Sequence, residues 1–361
     1  MKTIYSSHRR ALRCAILVAN LLNFCGAPCA SAKSELSMPE GISLPTTIYE
    51  HGMDDVRDHS QTGDAINTPR IGLVLGGGGT RGAAHVGVIK VLSEAGIPID
   101  CIAGTSIGSI VGGLYASGLP MEKIEKIVHE NKAMKAFVGA PIPIKAAMAP
   151  VKFVPRMLGI RRFDGLDKGN KFKRFITKQL PPDRANIETL PIPFCAVSLN
   201  LVDGCPYAFT KGNLALAMQA SSAVPILKRP VRMDEALFVD GGLVNNLPVR
   251  EARTILGANF VIAVNVDERF NEQPIEEFLK VGSVASRIIT MELANKDYAS
   301  MLKADVVIHP RIEGIGLLST KKKDAVRALA AGEEAARKAL PAIKSALEQR
   351  GVRLAGYPEI N

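Results

Sequence analysis

The sequence predicts a three-layer α/β fold with a largely parallel central sheet flanked by helices. Three observations lead to it. Short, partly β-branched apolar runs alternate with helical spacing, giving strand, helix, strand, helix over residues 71–117, and parallel strands need such crossovers. Glycine clusters fall at the strand-to-helix junctions. At 361 residues, with 47% hydrophobic and 22% charged residues, the chain is long enough for a full core and too apolar for bulk disorder.

Residues 1–32 stand outside this fold. Lys2, Arg9, Arg10 and Arg13 form a basic start, Ala15 to Phe24 are mostly apolar, and Ala30-Ser31-Ala32 is a small-x-small cleavage site. This pattern predicts a secretory signal peptide and an exported protein, periplasmic or secreted, with membrane association left open. An uncleaved anchor is the other reading. No run approaches the ~20 apolar residues that span a bilayer. Residues 33–68 are polar and aperiodic and read as a linker or tail. Beyond them only Cys101, Cys195 and Cys205 remain, too few for a disulfide framework. A single Cys195–Cys205 bridge across neighbouring strands and free buried thiols are both compatible with them.

The catalytic core is expected over 71–253. Ile71 to Leu75 reads as a buried strand ending in four glycines, and Ala83 to Ala95 as a helix stopped by Gly96. Ile97 to Ala103 is the next strand and Ser106 to Ser117 a small-residue helix. Residues 132–162 hold seven cations, no Asp or Glu, and four prolines between apolar residues. They read as a basic, lid-like insertion over the core. A helix follows at Lys168 to Gln179, then strands at Phe194 to Leu201 and Pro206 to Phe209, and a helix around Ala215 to Ser221. A strand at Ala236 to Val239 runs into Asp240-Gly241-Gly242. Residues 254–361 are expected to pack on this core as an α/β and helical portion. The helix at Val249 to Leu256 leads into it. Strands at Phe260 to Val266 and Val306 to His309 and helices at Ile275 to Ala299 and Lys321 to Arg350 follow.

Gly76-Gly77-Gly78-Gly79-Thr80-Arg81-Gly82 sits between a strand and a helix. Without side chains its amides can approach an anion, and the following helix presents its positive end. Two readings compete: a dinucleotide fingerprint, Gly77-x-Gly79-x-x-Gly82, or an oxyanion hole. Asp100 lies about 20 residues on, but at the start of its strand, whereas a ribose-binding acid belongs at the strand's carboxyl end.

That carboxyl end holds Gly104-x-Ser106-x-Gly108 in a strand–turn–helix context, the setting of a nucleophile elbow. A serine nucleophile needs a base. Asp240, at a strand end released by Gly241 and Gly242, can take the proton directly. His309 after a late strand offers a Ser106–Asp240–His309 triad instead.

The glycine loop with Arg81, Gly-x-Ser-x-Gly and Asp-Gly-Gly, in this order, resemble the patatin-like phospholipases. The segments Ala220-Ser221-Ser222-Ala223-Val224-Pro225 and Asn245-Asn246-x-Pro248 resemble the same family. The resemblance implies a Ser–Asp dyad with Ser106 as nucleophile and Asp240 as general base. The amides of Gly77, Gly78 and Gly79 match the oxyanion hole, and Thr80, Arg81, Gly82, Gly104, Gly108, Gly241 and Gly242 support the motifs. It implies no metal and no organic cofactor, and it leaves His85 and His129 as structural helix residues.

The expected activity is hydrolysis of phospholipid or lysophospholipid esters, releasing fatty acids, with the 132–162 cations on an anionic membrane surface. A formal charge of +10 also raises nucleic acid as a partner. The absence of Trp, 5% aromatic content and lack of a nucleic-acid motif argue against it. A triad carboxylesterase for small soluble esters and a non-catalytic nucleotide- or lipid-binding protein remain as alternatives.

Overall fold

The computed structural model describes residues 69–139, 165–267, 274–279 and 283–352. The expected signal peptide and linker and most of the basic insertion lie outside them.

The sheet grows from β1 (Ile71–Leu75), which is buried at every position. It pairs in parallel with β2 (Cys101–Thr105) on one edge and β7 (Phe260–Val264) on the other. Outside these, β3 (Phe194–Asn200) joins β2 and β8 (Val306–Ile308) joins β7, again in parallel. Three antiparallel strands complete one side. β4 (Pro206–Phe209) runs along one edge of β3, and β6 (Ala236–Asp240) pairs with residues 198–200 of β3. β5 (Val231–Met233) pairs with β6.

Alternation along the strands makes the layers. Ile71, Leu73 and Leu75 belong to one buried cluster, with Ile102, Ile262 and Val264. Val74 points into a second, with Cys101, Ala103, Cys195, Val261 and Ala263, as the two-residue period of a strand requires. Each of these large side chains contributes about 1.5–3 kcal/mol by leaving water. The first face is covered by α1 (Ala83–Glu94), α2 (Ile107–Ala116), α3 (Met121–His129), α4 (Lys132–Val138), α5 (Asn170–Thr177) and α6 (Leu214–Ser221). The second carries α7 (Val249–Thr254) and, beyond it, α8 (Ser283–Met301). The long α9 (Lys322–Glu348) lies on α1. A Cβ on Gly87 would stand 2.2 Å from the Leu329 oxygen, and one on Gly332 2.0 Å from the Ala84 oxygen. The two backbones touch because each helix offers the other a glycine.

Several expectations change here. The second strand is Cys101–Thr105 rather than 97–103. Asp100 closes its start, donating its N–H to the Ile71 oxygen and accepting the Ile71 N–H at Oδ2, 2.6 Å away. Residues 132–138 are not insertion over the core: α4 buries Ala133, Met134, Phe137 and Val138 within it. Residues 254–352 share the sheet of the preceding stretch, with β7 as one of its central strands. The helix expected at 275–299 is a 3-10 turn at Ile275–Leu279 followed by α8.

Cys195 and Cys205 are not joined by a disulfide. The β3–β4 register explains this. Leu199 lies opposite Pro206 and the Asn200 N–H bonds the Cys205 oxygen, so Cys195 is five residues, roughly 17 Å, further along the strand. That is far beyond disulfide reach.

Candidate active site

β2 ends at Thr105, and Ser106 takes up the sharp turn into α2. Its φ is 53° and ψ −121°, a conformation that costs a non-glycine residue about 1–3 kcal/mol and persists only where neighbours enforce it. The Ser106 N–H donates to Ser221 Oγ (2.9 Å), which donates onward to the Val197 oxygen at 2.5 Å. The Ser106 carbonyl accepts from Ser109 Oγ at 2.6 Å. The flanking glycines are sterically required. A Cβ on Gly108 would lie 2.1 Å from the Leu75 oxygen, and one on Gly104 2.6 Å from the Gly108 backbone.

Asp240 arrives at the same place from β6. Ser106 Oγ donates to Asp240 Oδ2 at 2.7 Å. Asp240 Oδ1 accepts the Gly242 N–H at 2.8 Å, and the Asp240 N–H bonds the Ala223 oxygen. Burial pushes its carboxyl up to about 6, opposed by the bonds from Gly242 and Ser106 and assisted by the charge of Asp267. The result is a carboxylate that has lost most of its water and holds the serine proton.

The glycine loop closes the other side. Its 3-10 turn, Gly79–Gly82, is tied down by the segment 315–319. The Thr80 N–H bonds the Leu317 oxygen, Thr80 Oγ1 donates to the Ser319 oxygen, and Arg81 Nε donates to the Ile315 oxygen at 2.7 Å. Of the three amides expected to face an oxyanion, that of Gly77 does not: it donates to Asn246 Oδ1 at 3.0 Å. The N–H groups of Gly78 and Gly79 have no acceptor among the described residues. Gly77, Gly78 and Gly79 line one cavity with Ser106 and Asp240.

That cavity holds about 340 Å³, and its far walls are apolar: Ile107, Ile110, Met134, Phe137, Phe172, Val224, Leu227 and Leu318. Lys228 braces one side. Its buried Nζ donates to the Phe137 oxygen at 2.5 Å and lies 3.3 Å from Asp167 Oδ2.

His309 is not the partner of Ser106. Its Nε2 lies 3.1 Å from the Asp267 carbonyl oxygen. His85 is fully buried with Nε2 2.8 Å from the Gly76 oxygen, and burial lowers it to about 4, so it is neutral. Among the described residues no group of three or more His, Cys, Asp or Glu is arranged to hold a metal ion. None of the helices described is long and apolar enough to cross a membrane.

The sequence reading assigned no role to Ser221, Asn246, Asp267 or Asp297. Ser221 and Asn246 fall in segments already singled out. The two acids lie in no motif and meet Asn246 only through the fold: Asn246 Nδ2 donates to Asp267 Oδ2 and Asp297 Oδ2, each at 2.9 Å.

This site of strand-end serine, buried aspartate and glycine loop sits in a stretch with known relatives. The profile of the family described as patatin-like phospholipase matches residues 73–253. The chain belongs to the patatin-like phospholipase family. It is 31% identical over 245 residues to rat patatin-like phospholipase domain-containing protein 7, covering 65% of this chain and 16% of the relative. It is 34% identical over 233 residues to lysophospholipase NTE1 of Saccharomyces cerevisiae, covering 64% of this chain and 12% of that protein. The chain thus spans about a sixth or less of the curated relatives it matches. Among solved structures, VipD from Legionella pneumophila aligns with a TM-score of 0.44 at 16% identity, over 76% of this chain and 67% of its own. Human GIVD cytosolic phospholipase A2 gives 0.44 at 11% identity, over 79% and 60%.

Proposed function

We propose that this protein is a serine acyl-ester hydrolase acting on phospholipids or lysophospholipids through a Ser106–Asp240 dyad. The observation that carries the reading is the 2.7 Å hydrogen bond from Ser106 Oγ to Asp240 Oδ2 at the cavity wall.

The chemistry follows from that contact. Ser106 Oγ attacks the ester carbonyl carbon while Asp240 accepts its proton. Negative charge develops on the carbonyl oxygen, and the amides of Gly78 and Gly79 are the donors for it. One preorganised donor of this kind is worth about 10²–10³ in rate. The tetrahedral intermediate collapses, the C–O bond to the alcohol breaks, and Asp240 returns the proton to the leaving oxygen. Water then gives its proton to Asp240 and attacks the acyl-serine. In a second collapse the acyl C–Oγ bond breaks, Asp240 returns the proton to Ser106 Oγ, and the fatty acid leaves.

The substrate class rests on the cavity and on the family. Met134, Phe137, Phe172 and Leu318 suit an acyl chain, and relatives carry the names phospholipase and lysophospholipase. In this reading the cations between Lys132 and residue 162 face the membrane surface while Met134 and Phe137 stay in the core, and residues 1–32 direct export. The test is fatty-acid release from mixed phospholipid vesicles by the purified chain beside Ser106→Ala. The wild type releases fatty acid and the variant falls by about a thousandfold or more. Equal release by both would remove Ser106 from the reaction.

A further inference from the structure

The glycine loop is anchored by a buried polar cluster outside the three motifs. Asn246 Oδ1 accepts the Gly77 N–H, and its Nδ2 donates to both Asp267 and Asp297. Asp267 follows β7 and lines the cavity; Asp297 lies on α8 and is 1% exposed. The polarity of the Asn246 amide is therefore dictated. The Gly77 N–H can only donate, so Oδ1 must face it, and the amide hydrogens must face the two acids. A flip would set donor against donor and carbonyl against carboxylate.

Both carboxyl oxygens stand 2.9 Å from the same amide nitrogen, which places them within about 6 Å of each other. A carboxyl as buried as Asp297 cannot ionise beside the half-buried Asp267 carboxylate without strong repulsion, whereas one proton between them makes a hydrogen bond. Burial first, and then the charge of Asp267, push the Asp297 carboxyl up to about 8. The other titratable groups around the cluster are Asp240 after β6, which feels the Asp267 charge, and His309 after β8, at the Asp267 carbonyl oxygen.

We propose that Asp267 and Asp297 hold one proton between them and, through Asn246, act as positioning residues for the glycine loop. Neither touches the reacting atoms. They orient Asn246, Asn246 holds Gly77, and Gly77 sets where the next two amides point. Ionisation of both acids would drive them apart and release that hold. The inference rests on the reading of Ser106 and the glycine loop given above.

The test measures kcat and KM against pH on mixed phospholipid vesicles for the full chain. In the wild type kcat declines above about pH 8 while KM stays level. Asp297→Asn still accepts from Asn246 and donates to Asp267 but cannot ionise, so it loses the alkaline decline. Normalised to pH 7, its kcat at about pH 9 exceeds that of the wild type by about tenfold. Asp297→Ala lacks both bonds and lowers kcat at every pH. An alkaline limb identical in Asp297→Asn and wild type, or full kcat in Asp297→Ala, overturns the proposal. If the alanine variant does not fold, the asparagine variant decides.

Infrared spectroscopy reads the shared proton without turnover. A protonated-carboxyl stretch present at pH 7, titrating near pH 8 and missing in Asp297→Asn, is expected. Its absence from the wild type overturns the proposal. A wild type without Ser106-dependent hydrolysis defeats the underlying functional reading and the positioning role with it. The infrared band distinguishes that failure from an error about the proton.

Discussion

Thr105 and Asp240 lie beside consecutive residues of β3, on the same edge: Thr105 pairs with Val197 and Asp240 with Ser198. The opposite edge there is filled by β4, which pairs along residues 196–199. β2 and β6 therefore approach from opposite directions and meet end to end. Whatever follows Thr105 must face whatever ends β6, and this junction brings Ser106 within 2.7 Å of Asp240.

That junction buries the proposed base, Asp240, and the first prediction concerns its pH dependence. Asp240 accepts a proton only as a carboxylate, and burial holds its carboxyl at about 6. The quantity kcat/KM should rise through about pH 6 and level off between there and about pH 8, where the decline tied to Asp297 begins. A plateau reaching down to pH 5 in a steady-state profile would contradict a buried base.

The same shift makes a stability prediction. The folded value of about 6 lies above the ordinary 3.8, so between those values the folded state binds more protons than the unfolded one. Stability from this group is full below pH 3.8 and is lost as pH rises through 6. Asp240→Asn removes the penalty, stabilising the protein at pH 8 by about 1–3 kcal/mol while losing activity. Denaturant midpoints at pH 8 and below pH 4 check this, and the gain should vanish at the lower pH.

A third prediction isolates the elbow. Gly108→Ala places a methyl 2.1 Å from the Leu75 oxygen. The turn must shift, which should cost about 1–3 kcal/mol of stability and displace Ser106 from Asp240. Loss of fluorophosphonate labelling at Ser106 in folded protein is the readout. Labelling at the wild-type rate would show that the turn tolerates the methyl.

The fourth separates dyad from triad. His309 meets the Asp267 carbonyl oxygen, not Ser106. His309→Ala should lose far less kcat than the ~10²–10⁴-fold expected for removing the general base in Asp240→Asn. Equal losses in two folded variants would restore a histidine to the reaction.

Much of the site was legible because its chemistry needs unusual local backbone. Ser106 at positive φ requires small neighbours, so Gly104 and Gly108 mark it in the sequence. Asp240 stands out because two glycines release the chain behind it. Asn246, Asp267 and Asp297 carry no such mark. An asparagine after a turn, an acid after a strand and an acid on a helix have ordinary local roles, and only packing makes them one cluster. The bond that takes up the Gly77 amide is equally illegible, because its acceptor is 169 residues away in the chain. The cations of 132–138 point to solvent in the sequence, but α4 turns Lys132 and Lys135 outward and buries Met134 and Phe137.

By itself, then, the sequence determined the alternation of strands and helices, the strand-end serine, the glycine loop and the aspartate. Each is written in residue size, period or glycine placement within a few positions along the chain. The tertiary structure alone decided that β6 runs head-on into β2, that Asn246 accepts from the Gly77 amide, and that β7 completes the sheet beside β1. These depend on strand order and on long-range pairing. Their energies come from burial and hydrogen bonds between residues tens to hundreds of positions apart, and local pattern carries no trace of them.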